Sequence, residues 1–338
     1  MTTNKNVVGK IIITTAVFSL ILLICIIFGI ITGSADINIK KILIGLFTNR
    51  YDITNTDIAI ILKIRLPRVI TAALSGAVLS LGGLIFQAML RNPLAEPYIL
   101  GVSGGSAIGA IIGIALGFSY FPGVGLTAFA GSMASVAALI LINSKNSSFK
   151  KDSLILSGVI LNSFFSAIIM FLISVSNSAE LKGILFWLMG DFSIINMKEV
   201  KILAALIFPA FIFFFFISSK MNLLALGKNM AKSMGVNIKA VVLSMLIVSS
   251  FMVSISVACS GLLGFVGLVI PHLLRLIIGA DHRILVPASI LGGGAYMVLC
   301  DILARTIPSA GGEIPVGVIT ALIGAPLFIL LLKRNPAG

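Results

Sequence analysis

Charge is what this sequence has least of. Aspartate, glutamate, lysine and arginine together make up 10% of the 338 residues, against 59% hydrophobic, which is too little polar surface to solvate a globule of this size. A soluble single domain is therefore excluded. Cysteine is nearly as scarce: Cys25, Cys259 and Cys300 all sit inside apolar stretches, cannot close a disulfide framework, and read as core residues. The two histidines, His272 and His282, flank a turn with only Asp281 close by. A metal site needs three or four convergent ligands, so both are expected to be structural, with no metal and no cofactor. At Pro271 the chain should kink, and His272 is expected to satisfy the carbonyls freed there. A Gly-x-x-x-x-Gly-Lys-Ser/Thr phosphate loop is also missing, so the chain does not cradle a nucleotide by that route. No serine has a histidine and carboxylate placed for nucleophilic chemistry, so no catalytic residue is assigned.

What the sequence has in abundance is long apolar runs. Ten of them are about the length that spans a bilayer: Ile11 to Ile31, Leu66 to Leu90, Tyr98 to Phe118, Gly125 to Ile142, Ser153 to Val175, Val200 to Ile217, Ala240 to Ala258, a shorter one ending near Ile278, Ile284 to Leu303, and Ile314 to Leu332. The first is too long for the roughly 7 to 15 residues of a cleavable signal core, so it is read as a retained helix. The fold class is an all-α polytopic transmembrane bundle, with residues 1–338 as one membrane domain. Between the fifth and sixth spans, Asn177 to Lys198 is too polar to cross, and a short surface helix is expected over Leu185 to Met189.

The formal charge of +13 raises the question of nucleic acid. Its lysines and arginines are scattered between apolar runs, with no basic stripe interleaved with aromatics, so they read as loop anchors and nucleic acid is excluded as a partner. Ten spans put both termini on one side, and the basic-residue bias places that side in the cytoplasm. Arg65, Arg68 and Arg305 then fall at the outer ends of their spans, against the bias, which suggests an acidic partner.

Local patterns add detail. Gly101, Gly105, Gly109, Gly113 and Gly117 recur on every fourth residue of the third span, a stripe that lets a neighbouring helix approach closely. Asp301 lies one turn before Arg305, an intrahelical i,i+4 pair. Glu313 stands at the head of the last span, where a carboxylate complements the helix N-terminus. The segment 220–239 carries four lysines with enough Leu, Ala and Met for short amphipathic helices, punctuated by Gly227 and Gly235, and suits docking into a groove of another protein.

Six blocks carry a resemblance: Arg65-Leu66-Pro67-Arg68; Arg91-Asn92-Pro93-Leu94-Ala95-Glu96-Pro97 running into Leu100-Gly101-Val102-Ser103; Asn222-Leu223-Leu224-Ala225-Leu226-Gly227; Gly264 through His272; Asp281-His282-Arg283; and Ile314 through Pro326. In this order they resemble the FecCD/BtuC-like permease subunits of type II ABC importers, which take up ferric siderophores, haem and cobalamin. The resemblance implies ten helices per subunit, a second permease subunit (a homodimer by expectation), two copies of a separate ABC ATPase, an extracytoplasmic substrate-binding protein, and residence in the inner (cytoplasmic) membrane. By position, Arg65, Arg68 and Arg305 are similar to the residues that meet acidic side chains of the binding protein. Leu223, Leu224, Leu226, Gly227 and Gly235 fall in the coupling helices that contact the ATPase, and Asn92, Leu94, Lys151 and Asp152 at the cytoplasmic gates. Ferric siderophore is the first-choice cargo, with cobalamin and haem close behind. The rival class is an ion-coupled secondary transporter, which needs several buried acids near the midplane; only Asp301 approaches that.

Overall fold

A computed structural model describes residues 4–33, 56–144, 151–307 and 312–334. The polar stretch holding Lys40, Lys41, Arg50 and Asp52 lies outside them, as do Lys145 and Lys150. Every regular element among the described residues is helical. The main ones are α1 (Asn4–Ile31), α2 (Leu66–Leu90), α3 (Val102–Ala115), α4 (Gly125–Asn143), α5 (Lys151–Val175), α6 (Ser178–Met189), α7 (Met197–Leu226), α8 (Lys228–Ser233), α9 (Ile238–Ser260), α10 (Val266–Ile278), α11 (His282–Thr306) and α12 (Val316–Arg334), with a helical turn Thr56–Ile60 and a π-helical turn Ile61–Arg65 leading directly into α2 and shorter turns at Pro97–Leu100 and Tyr120–Val124. Setting aside α6 and the six-residue α8, ten remain for the ten expected spans. Seven are long and apolar enough to cross a bilayer, and three shorter apolar helices complete the set.

The ends of these helices follow from the sequence. Pro67 sits in the first turn of α2, where a missing N–H costs nothing. Asn196 and Glu199 cap the start of α7 reciprocally, satisfying two donors that have no intrahelical partner. The surface helix expected over Leu185 to Met189 is longer, because Asn177 accepts from the Glu180 N–H and starts α6 a full turn and more earlier.

The third span departs from its expected bounds. Pro97–Leu100 forms a 3-10 turn, and Gly101 takes the left-handed φ of 86°, so the α-helix begins only at Val102. Its 14 residues rise about 21 Å at 1.5 Å per residue, short of a hydrocarbon core of about 30 Å. Such a segment is tolerated where protein surrounds it. The glycine stripe supplies that cover: a Cβ on Gly109 would lie 2.1 Å from the Thr127 carbonyl oxygen of α4, and one on Gly105 2.5 Å from that of Gly131.

The bundle is built around α2. In its most apolar window 89% of residues are buried, against 6% for α1 and for α5. It packs most extensively on α11 and also meets α9, α10, α7 and α1. Close approach needs bare backbone: a Cβ on Gly76 would lie 2.2 Å from the Gly293 carbonyl oxygen, and one on Gly83 1.9 Å from that of Gly267. Pro271 lies inside the continuous helix α10, and the carbonyl four residues before it, that of Gly267, accepts from Gln87 Nε2 of α2. Both ring nitrogens of His272 are buried without a hydrogen-bond partner, and the ring packs edge-on against Phe328 at 6.1 Å. The expectation that His272 satisfies freed carbonyls is thus corrected, since its side chain points to α12 and away from its own helix axis.

Candidate functional site

Polar chemistry gathers at the two ends of the bundle. At one end lie the three arginines. Arg65, Arg68 and Arg305 are 4%, 5% and 5% exposed, so they do not stand as a solvent-facing rim. Arg68 Nε donates to Asp301 Oδ1 at 2.8 Å, and its Nη1 donates to Glu313. Arg305 Nε lies 3.0 Å from the other Asp301 oxygen, the expected i,i+4 pair, and its Nη atoms donate to the carbonyls of Thr32 and Gly29. Arg65 Nη1 donates to the carbonyls of Ile30 and Ile31 at 3.1 and 2.6 Å. These last four oxygens belong to the C-terminal turn of α1 and the residue after it, carbonyls with no intrahelical donor of their own.

The register of α2 on α11 explains why Arg68 reaches Asp301. The helices run antiparallel and touch at Gly76 and Gly293. Arg68 and Asp301 each lie eight residues from that contact towards the same end, about 12 Å along both axes. The pairing of Asp301 with Arg305 is legible in the sequence because both lie on one helix, whereas Arg68–Asp301 is not, because 233 residues separate them. Glu313, expected to serve the start of α12, pairs with Arg68.

At the opposite end three segments meet. Arg91 ends α2 in the left-handed region, φ 48° and ψ 43°, and its Nη2 donates to the Leu224 carbonyl at 2.5 Å. After it, the Asn92 side-chain oxygen accepts from the Leu94 N–H and its carbonyl from the Ala95 N–H, a compact turn that leaves Leu94 exposed. Asn222 in α7 donates to Asp281 at 2.7 Å and accepts from the backbone N–H of His282. Arg283 chelates the same carboxylate, and its hydrogen bonds, ahead of opposing burial, hold Asp281 down at about 2.

The segment 220–239 differs from a pair of separate short helices. Leu223, Leu224 and Leu226 belong to the last turn of α7, which runs unbroken from Met197, and only Lys228–Ser233 forms a helix of its own. The break falls at Gly227, φ 130°, where the first backbone incompatible with helix occurs; Gly235 follows at φ 80°. Leu226, Met230 and Met234 are 67%, 54% and 58% exposed. Of the remaining gate positions, Asp152 is exposed in the first turn of α5, and the Lys151 side chain lies outside the described residues. Just beyond them Ser153 donates to Asn143 at 2.6 Å and Asn143 to Ser157, fastening α4 to α5.

Between the two ends, α5 presents an almost uncovered apolar face. Beside it opens a cavity of about 340 Å³ lined by Glu96, Tyr98, Ser103, Asn162 and Ser166 among others. Asn162 donates to the carbonyls of Tyr98 and Ile99, holding the turn before α3. Burial pushes the Glu96 carboxyl up to about 7. Among the described residues no group of three His, Cys, Asp or Glu converges as a metal site.

Comparison with known proteins places this geometry. The profile of the FecCD transport family matches residues 21–334. The uncharacterized ABC transporter permease protein YvrB of Bacillus subtilis is 40% identical over 285 residues, covering 82% of this chain and 80% of its own length. The vitamin B12 import system permease protein BtuC of Salmonella typhi is 40% identical over 275 residues, 81% of this chain and 83% of its own. A solved inward-facing conformation of a metal-chelate type ABC transporter superposes with a TM-score of 0.84 at 34% identity, covering 95% of this chain and 98% of that one. On the strength of a family match over nearly the whole chain and relatives of this similarity, the chain belongs to the FecCD transport family and is an ABC-transporter permease.

Proposed function

We propose that this permease imports a metal chelate across the cytoplasmic membrane with both termini inside, as one of two copies around a shared pathway. Two ATPase subunits would bind at the end that holds Arg91, Asn222 and Asp281, and an extracytoplasmic binding protein at the arginine end. A ferric siderophore is the first cargo proposed. Cobalamin is the second reading, favoured by relatives named as vitamin B12 permeases, and haem the third.

The observation that carries the ATPase reading is the exposed apolar row Leu226, Met230 and Met234 beside a glycine swivel. Apolar knobs on a short helix at a polar end of a bundle require a groove in a partner. The uncovered face of α5, with the Glu96–Asn162 cavity beside it, supports a pathway completed by a second copy. In this reading Leu223, Leu224, Leu226, Gly227 and Gly235 couple to the ATPase. Asn92, Leu94, Lys151 and Asp152 gate the inner mouth. Arg65, Arg68 and Arg305 act on the binding protein through the positive field they set up behind the outer surface, which steers encounter.

The deciding experiment purifies the chain with whatever ATPase accompanies it, reconstitutes the complex in liposomes with the binding protein, and measures accumulation of a radiolabelled ferric siderophore, cobalamin and haem. ATP-dependent accumulation of one of them is expected. Accumulation by the chain alone under a proton or sodium gradient would establish the secondary-transporter alternative instead.

A further inference from the structure

Arg91 occupies a backbone conformation that ordinarily goes to glycine. Its φ of 48° makes it one of two non-glycine residues with positive φ among those described. A helix C-terminus ending in the left-handed region takes glycine by preference, because a Cβ there crowds the following carbonyl. An arginine has the further cost of ordering a long side chain. Neither is needed to stop α2, since Pro93 and Pro97 follow within a few residues. The side chain must therefore contribute elsewhere, and among the described residues its guanidinium donates across to α7.

That contact falls at a mechanical junction. Leu224 O, which accepts from Arg91 at 2.5 Å, also accepts the Gly227 N–H at 3.2 Å. It is the carbonyl that closes α7, at the negative end of the helix dipole, where a cation is favoured. A Cβ on Gly227 would lie 3.9 Å from Arg91 Nη2, so the guanidinium sits beside the swivel between α7 and α8. On its other side Arg91 continues directly into the hydrogen-bonded turn Asn92–Ala95. Asn222, less than one turn before Leu224, pins α7 to Asp281 and His282. The end of α7 is thus held from two directions, and the side chain of Arg91 bridges the α8 swivel to the turn carrying Leu94.

We infer that Arg91 is the positioning residue that carries displacement of the α8 segment to the turn Asn92–Leu94, linking ATPase movement to the inner gate. This rests on the proposed roles of α8 and of that turn. When the α8 segment moves with its partner, the end of α7 moves with it. A charge-assisted hydrogen bond to a helix-terminal carbonyl then pulls the turn along as one unit.

The test separates transmission from folding, because Arg91→Gly removes the side chain while supplying the residue best suited to φ 48°. In the complex with its copurifying ATPase, with Cys25, Cys259 and Cys300 replaced, the rate of maleimide labelling of Leu94→Cys is measured with and without a non-hydrolysable ATP analogue. With Arg91 present the analogue should change the rate about fivefold or more, the lower end of coupling between two sites. With Arg91→Gly the change should vanish while thermal stability and ATPase copurification stay at least at the parent's level, and Arg91→Lys should recover part of it. An Arg91→Gly protein that responds like the parent would overturn the inference. Loss of stability and copurification together would overturn it too, showing Arg91 to be a structural cap. If the parent neither copurifies with an ATPase nor responds to nucleotide, the proposed function fails first and this inference with it.

Discussion

Asp301→Asn isolates the buried charge cluster that organises the arginine end. The Asp301 side chain is completely buried, 2.8 Å from Arg68 Nε and 3.0 Å from Arg305 Nε. Asparagine keeps the shape and removes the charge, leaving two buried guanidinium groups facing a neutral amide. Removing one member of a buried ion pair costs about 3–5 kcal/mol, chiefly as the desolvation of the charge left behind. Against a total stability of about 5–15 kcal/mol, that is enough to deplete the folded protein. Glu313 makes its bond to the same Arg68, but a third of its side chain is exposed. Glu313→Gln should cost only about 0–1 kcal/mol, as exposed pairs do. Denaturant unfolding of the two variants in one micelle, followed by tryptophan fluorescence, should separate them by at least about 2 kcal/mol, roughly thirtyfold in the unfolding constant. Equal effects, or an Asp301→Asn cost below about 1 kcal/mol, would refute the assignment of Asp301 as the fixed centre of the cluster. The same reasoning governs how docking is probed. Charge reversal at Arg68 or Arg305 would set a second buried carboxylate against Asp301 and test the fold, whereas Arg65→Gln removes bonds to backbone carbonyls and leaves Asp301 paired with both arginines.

Three further outcomes follow from the geometry. Affinity for the binding protein should fall as ionic strength rises and fall further in Arg65→Gln, measurable by surface plasmon resonance at two salt concentrations; salt-independent binding would count against an electrostatic role. Gly83→Ala should destabilise by about 1–3 kcal/mol through overpacking, because its Cβ would meet the Gly267 carbonyl at 1.9 Å, whereas Gly264→Ala, with open space around it, should stay within about 0.5 kcal/mol in thermal unfolding. Arg283 holds the Asp281 carboxyl at about 2, below its ordinary 3.8. The unfolded chain therefore binds more protons in that window, so the stability it contributes is complete above about pH 4 and lost as pH falls towards 2. Asp281→Asn should flatten that limb of the unfolding profile, and an unchanged limb would assign the acid sensitivity elsewhere.

Most of the architecture was legible in the sequence because a bilayer reads length and polarity directly. An apolar run of about twenty residues has one stable state in hydrocarbon, so the number of spans and the glycine stripe that packs on α4 could be read without coordinates as far as Gly113, whereas Gly117, expected in the same stripe, lies past the end of α3 at φ 73° with open space around it. Boundaries were less secure where backbone conformation decided them. α3 starts late because Gly101 takes a left-handed φ, and α7 runs through Pro209 to Leu226, ending where Gly227 leaves helical φ. The family was legible too, since its motifs are strings of adjacent residues.

The sequence by itself determined that this is an all-helical membrane permease with polar segments at the ends of its spans. Only the tertiary structure decided who pairs with whom there. Asp301 was matched to Arg305 from spacing on one helix, but its second partner, Arg68, lies 233 residues away, and Arg91 and Leu224 are 133 apart. Periodicity reports which face of a helix is apolar. It carries no information on the register in which two such faces meet, and in this bundle that register is set by glycine contacts such as Gly76 on Gly293, where backbones touch and long side chains at the helix ends are brought within reach.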